Sequence, residues 1–103
     1  MKVILKSKKD THYAEGEYDG QRVTILPDSK INTTLSYAAM SEKIKLIRNN
    51  PEYVSAEGII LKEIEFGSPS TAAQFVTGRS VNGYISWRID DKISLKDYRE
   101  KNK

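Results

Sequence analysis

Between positions 67 and 78 the chain reads Gly-Ser-Pro-Ser-Thr-Ala-Ala-Gln-Phe-Val-Thr-Gly, and almost every position has a conformational reading. Ser68 is an N-cap candidate, because its hydroxyl can accept from a free backbone N–H of the first turn. Pro69 then falls at the first helical position, where its missing N–H costs nothing. Ala72, Ala73 and Val76 share one apolar face with Phe75 beside it, and the small alanines let this helix lie close against a sheet. Gly78 supplies the left-handed stop.

Residues 82–98 read as turn, strand and helix in succession. Asn82-Gly83 is a tight-turn dipeptide. Residues 84–89 alternate, which predicts a strand with Ile85, Trp87 and Ile89 on one face and Tyr84, Ser86 and Arg88 on the other. Asp90-Asp91 turns the chain. Ser94-Leu95-Lys96-Asp97 then resembles a capping box with aspartate in place of glutamate, opening a short C-terminal helix with Leu95 and Tyr98 inward.

Upstream, residues 2–6 are a short β-rich run. Segments 13–18 and 22–26 flank Asp19-Gly20 as a hairpin, which Pro27 ends. Tyr37, Met40, Ile44 and Ile47 recur at helical spacing and predict a helix over 35–49, with Thr34 or Ser36 as its cap and Asn49-Asn50-Pro51 as its end. Residues 58–66 read as a strand, Ile64 and Phe66 alternating with Glu63 and Glu65. The expected fold is therefore α+β. A small antiparallel sheet, made of the N-terminal hairpin and later strands, packs with two main helices and a short C-terminal one, in a single domain over 1–103. A chain of 103 residues buries roughly two-thirds of its unfolded surface. That suffices for one sheet and two or three helices, not for a core plus a deep enzyme cleft.

The absence of cysteine excludes disulfides and thiolate metal sites. No apolar run approaches the roughly 18 residues of a membrane span, and Val3-Ile4-Leu5 is too short for a signal sequence. A prokaryotic cytoplasm is the expected compartment. The net charge of +3 is unevenly placed. Lys2, Lys6, Lys8 and Lys9 come before any acid, and Asp10, Glu15, Glu17 and Asp19 then appear without a base. Seven basic residues face four acidic ones from position 79 onward. Such an imbalance is compatible with a polyanionic partner, but the excess is small and charge alone favours an ordinary solvated surface.

The run Ser-Pro-Ser-x-Ala-Ala-x-x-Val-x-Gly-x-Ser-x-Asn-Gly-Tyr-x-x-Trp, from Ser68 to Trp87, resembles the signature of the domain of unknown function 4357 family. That family is similar in turn to the restriction-enzyme-adenine-methylase-associated (RAMA) domain. Ala14-x-Gly16 and Val23-x-Ile25-Leu26-x-x-Ser29 resemble the family's N-terminal hairpin. One departure is Tyr84, where a tryptophan is usual. The resemblance implies a small α+β module found beside nucleases and DNA methylases in restriction and defence contexts. Its RAMA relatives are thought to bind DNA and to read modified bases.

Position along the chain suggests the candidate contacts for nucleic acid. Ser68, Ser70 and Thr71 lie at a helix N-terminus, which favours anions. Arg79, Ser80 and Asn82 come at that helix's other end. Tyr84 sits on the polar strand face with Arg88, whereas Trp87 belongs to the core face. Each also has a bland reading as cap, turn or core residue. His12, with Asp10 and Glu15 nearby, reads as a surface histidine at a strand edge. No metal-ligand spacing, nucleophile elbow or phosphate loop is present, so neither a cofactor nor a catalytic site is expected. The expected function is a non-catalytic module that engages DNA, modified or unmodified, or a nuclease or methylase partner. The rival is a protein-interaction or oligomerisation module using the sheet edge and the 35–49 helix.

Overall fold

Strands β1 (Lys2–Lys6) and β2 (Tyr13–Tyr18) pair antiparallel in the computed structural model, which describes residues 1–7, 11–33, 41–79, 81–90 and 93–101. Alternation decides their faces. Val3, Leu5, Ala14 and Tyr18 enter the core, and Lys2, Ile4 and Lys6 share the opposite face. The expected turn after β2 forms around Asp19, whose Oδ1 accepts from the N–H groups of Arg22 at 2.6 Å and Gln21 at 2.9 Å. These donors, Arg22 first, hold the Asp19 carboxyl below its ordinary pKa.

Strand β3 (Val23–Ile25) returns along β2, and β4 (Ile64–Phe66) returns along β3, with Ile25 opposite Ile64 and Val23 opposite Phe66. The sheet order is β1-β2-β3-β4 throughout. The strand expected over 58–66 is shorter than its apolar content suggested. Ile59 and Ile60 make single bridges to Lys30 and Val54, because Gly58 (φ +84°) turns the chain back there, and only 64–66 join the sheet.

Helix α1 (Glu42–Arg48) starts at Ser41, which is extended (φ −71°, ψ 156°) and accepts from the Ile44 N–H at 3.3 Å. The 35–49 periodicity therefore does not describe one helix: Ser41 breaks it. Thr34, Ser36, Tyr37 and Met40 lie outside the described residues. Ile44 is buried and Ile47 half-buried, as their spacing predicts.

Helix α2 (Pro69–Thr77) packs across β2, β3 and β4 with Ala72, Ala73, Phe75 and Val76 buried. Ser68 caps its start and Gly78 (φ 74°) its end, as expected. Its final carbonyls are also satisfied. Arg48 Nε donates to Phe75 O at 2.9 Å, the Asn32 N–H to Val76 O at 2.8 Å, and Asn32 Nδ2 to Thr77 O at 3.0 Å.

The strand expected over 84–89 is the main correction. Residues 83–86 form a helical turn, α3 (Gly83–Ser86), which Asn82 caps by accepting from the Tyr84 N–H at 2.9 Å. Gly83 does not serve a positive φ; a Cβ there would collide with the Pro69 and Ser70 backbone. Close approach to α2 is thus what requires glycine, and the helical turn results from seating it. The turn sends Ile85 outward, 50% exposed, and Trp87 into the core. Trp87 Nε1 donates to Pro69 O at 3.0 Å, which satisfies its one polar atom. Strand character survives only at Arg88, which exchanges two 2.8 Å backbone bonds with Ile4 on the outer edge of β1.

Helix α4 (Leu95–Lys101) opens with the expected capping box. The Ser94 N–H donates to Asp97 Oδ2 at 3.3 Å, and the Asp97 N–H to Ser94 Oγ at 3.2 Å. Leu95 is buried, Tyr98 half-buried.

Candidate functional site

Helix α3 divides two hollows. On one side lies a groove of about 530 Å³, to which the β1–β2 hairpin contributes Lys6, Ser7 and His12, and the chain around α3 contributes Ile85, Ser86 and Arg88. The paired backbone bonds between Ile4 and Arg88 bring these distant segments together. A smaller hollow of about 80 Å³ shares Lys6 and Arg88 with the groove and adds Tyr13 and Asp90.

His12 is half-buried in this groove. Burial, and then the positive charge of Arg79, push its pKa below 6.5, so the imidazole is neutral at pH 7. Glu15, the acid that sequence proximity offered to His12, bonds elsewhere: Tyr13 Oη donates to it at 3.2 Å, and Lys2 Nζ lies 3.2 Å from it. Lys2 is thereby paired with an acid on the exposed sheet face.

On the other side of α3 lies a cleft of about 640 Å³. Tyr18 from the end of β2, Asn82 and Tyr84 from α3, and Lys96, Tyr98 and Arg99 from α4 line it. The Arg99 guanidinium carbon stands 4.4 Å from the Tyr84 ring centroid, within cation–π range. Tyr18 donates its hydroxyl to Gly20 O at 2.9 Å, and burial raises its phenol pKa despite the opposing effect of Arg99.

The eight residues expected to form one nucleic-acid surface are distributed over several places. Ser68 and Thr71 hydroxyls lie 3.0 Å apart, Ser68 Oγ caps Thr71 N, and Ser70 Oγ accepts from the Gly83 N–H at 3.2 Å. The first turn of α2 is thus engaged by the chain itself. Asn82 packs at that start of α2, not at the helix's other end, because Gly83 seats there. Asn82 and Tyr84 face the cleft, Arg88 faces the groove, and Ser80 lies outside the described residues. Tyr18, His12, Lys96, Tyr98 and Arg99 were not singled out as contacts. Only the Lys96–Arg99 spacing, three apart on one helix, carried a local signal; nothing in the order of residues brings Tyr18 to Tyr84.

The model of the domain of unknown function DUF4357 matches residues 4–99. The chain belongs to the DUF4357 family. The matched span includes all the described residues lining the groove, and those lining the cleft apart from Glu100. No curated protein and no solved structure matches it. Among the described residues of this DUF4357 chain, no group of three or more His, Asp or Glu could hold a metal ion. No described helix is long and apolar enough to cross a membrane.

Proposed function

We propose that this DUF4357 chain is a non-catalytic module that engages DNA, in the cytoplasm of a prokaryotic cell, by laying the phosphate backbone in the groove between β1 and α3. The observation that carries this reading is the gathering of Lys6 and Arg88, 82 positions apart, on one groove beside His12. Clustered cations on one surface are the electrostatic footprint of a phosphate-binding protein. The resemblance of the DUF4357 family to the RAMA domain points the same way and brings modified DNA, and a nuclease or methylase partner, within the proposal.

Duplex, modified and unmodified, titrated into the chain under fluorescence anisotropy tests it. Affinity is expected to fall with log salt at a slope of about −0.9 per phosphate contacted. Replacing Lys6 and Arg88 together by glutamate should weaken binding at least about ten-fold and flatten the slope by roughly two contacts. Absence of binding to either duplex at low salt would defeat the proposal, as would binding indifferent to the double replacement.

The protein-interaction reading draws on Leu46, which is 71% exposed on α1. It expects a concentration-dependent mass in light scattering that Leu46→Glu abolishes; an invariant monomer counts against it.

A further inference from the structure

We infer that the cleft between the β2–β3 turn, α3 and α4 is a second, separate binding site whose ligand is a nucleotide: a planar heteroaromatic ring carrying a phosphate. Three elements bring a tyrosine each to it, Tyr18, Tyr84 and Tyr98, although Tyr18 and Tyr84 are 66 positions apart. Tyr18 is buried with its hydroxyl donated to Gly20 O, so it lines the hollow from the core and the stacking faces fall to Tyr84 and Tyr98. Tyr84 and Tyr98 are half-buried, with part of each side chain reachable. At about 640 Å³ the hollow lies within the roughly 300–1,000 Å³ of small-molecule sites.

Charge then selects among the ligands that aromatic walls can take. Three tyrosines could cage a methylated ammonium, since cations are drawn to ring faces. Here the ring of Tyr84 already holds the Arg99 guanidinium at 4.4 Å, and Lys96 stands one turn earlier on the same helix. Among the described residues Glu100 is the one acid in the lining, so two cations face one carboxylate and an added cation is disfavoured. A guanidinium stacked on a ring keeps its N–H donors free at its edge, where they suit phosphate oxygens. Asn82, at the mouth of α3, adds an amide beside them. Rings for a base and cations for a phosphate thus occur in one hollow, on the opposite side of α3 from the duplex groove.

The test uses the full ¹⁵N-labelled chain in heteronuclear NMR titrations with adenosine monophosphate, thymidine monophosphate, inorganic phosphate and a short single strand. Mononucleotide is expected to shift the amides of Tyr84, Lys96, Tyr98 and Arg99 and to leave those of Lys6, His12 and Arg88 in place. Tyr98→Ala should weaken this binding at least about five-fold, the lower limit for losing one stacked base. Arg99→Gln should weaken it too, with Trp87 fluorescence confirming that both variants fold. Shifts produced by the single strand but not by mononucleotides would support the site and identify a nucleotide within a strand as its source. Equal shifts with inorganic phosphate alone would overturn the role of the rings. Shifts confined to the groove, or none with any nucleotide, would overturn the site while leaving duplex binding at the groove to stand or fall separately.

Discussion

On one side of α3, Lys6, Arg88 and His12 meet in a groove whose one large exposed apolar side chain, among the described residues, is Ile85. On the other, three tyrosines, Lys96 and Arg99 line one cleft. A single four-residue turn serves both, because consecutive residues of a helix point about 100° apart. Tyr84 goes to the cleft and Ile85 to the groove. Had 84–89 been a strand, Tyr84 and Arg88 would have shared a face and the two chemistries would have merged. Their separation depends on α3 being helical, and α3 depends on how closely Gly83 approaches α2.

The largest expected effect therefore comes from Gly83→Ala. The new methyl would meet the Pro69 and Ser70 backbone. That backbone cannot easily yield, since Pro69 O holds Trp87 Nε1 and Ser70 Oγ holds Gly83 N. A loss of about 3 kcal/mol is expected in urea denaturation monitored by Trp87 fluorescence, at the upper end of ordinary overpacking. Gly67→Ala is the control: no heavy atom lies within 4 Å of its Cβ position, and the change should stay within about 0.5 kcal/mol. Equal costs at the two glycines would remove close approach as the reason for α3.

The next effect is a crossing of phenotypes. Arg88→Glu should weaken duplex binding about ten-fold and leave the nucleotide-induced shift at Tyr84 unchanged, whereas Arg99→Gln should do the reverse. Arg88 lines the groove and not the cleft, and Arg99 lines the cleft and not the groove. If each variant impaired both ligands alike, the two hollows would have to be read as one surface.

Smaller again is Ser68→Ala. Its hydroxyl caps Thr71 N at 3.2 Å, so about 1 kcal/mol of stability should be lost. Neither ligand should bind more weakly, because the first turn of α2 is covered by Gly83 and lies in neither hollow. A fall in duplex affinity beyond what stability explains would restore α2's N-terminus as a contact surface.

The contrast between these segments also shows what one sequence can reveal. The start of α2, the Asp19 turn and the Ser94–Asp97 box were legible because each rests on a side chain bonding to backbone within a few residues, and the end of α2 because Gly78 takes a left-handed φ of 74°. Trp87 was placed in the core correctly, yet by an alternation that the structure does not use: a helical turn buries position 87 as well as a strand does. Asn82-Gly83 misled for a related reason. Asparagine caps helices as readily as it makes turns, and the collision that requires Gly83 involves residues 13 and 14 positions away. Both hollows are long-range objects. Lys6 meets Arg88 through a backbone bridge, and Tyr18 meets Tyr84 across the fold, so their residues carry no shared local pattern.

The smallest effect is also the one that separates the hollows most directly, because acid should move them in opposite directions. His12 is held below its ordinary value of 6.5 by burial and by Arg79. The depressed group favours the folded state above the unfolded value, and that contribution is lost as pH falls through the folded pKa. Protonation there nonetheless adds a cation to the groove, facing Lys6 and Arg88. Phosphodiesters keep their charge over this range. Duplex affinity should thus rise about two- to five-fold as pH falls from about 7.5 through the lowered His12 pKa, the size of a partly exposed ion pair. His12→Gln should flatten that rise. A mononucleotide behaves otherwise, because its phosphate has a second pKa near about 6 and loses charge on acidification. Its binding to the Lys96–Arg99 cleft should weaken over the same interval, with His12→Gln making no difference. A duplex profile unchanged by His12→Gln would take the imidazole out of the groove's contacts. Parallel pH trends for the two ligands would mean that both bind the same cations.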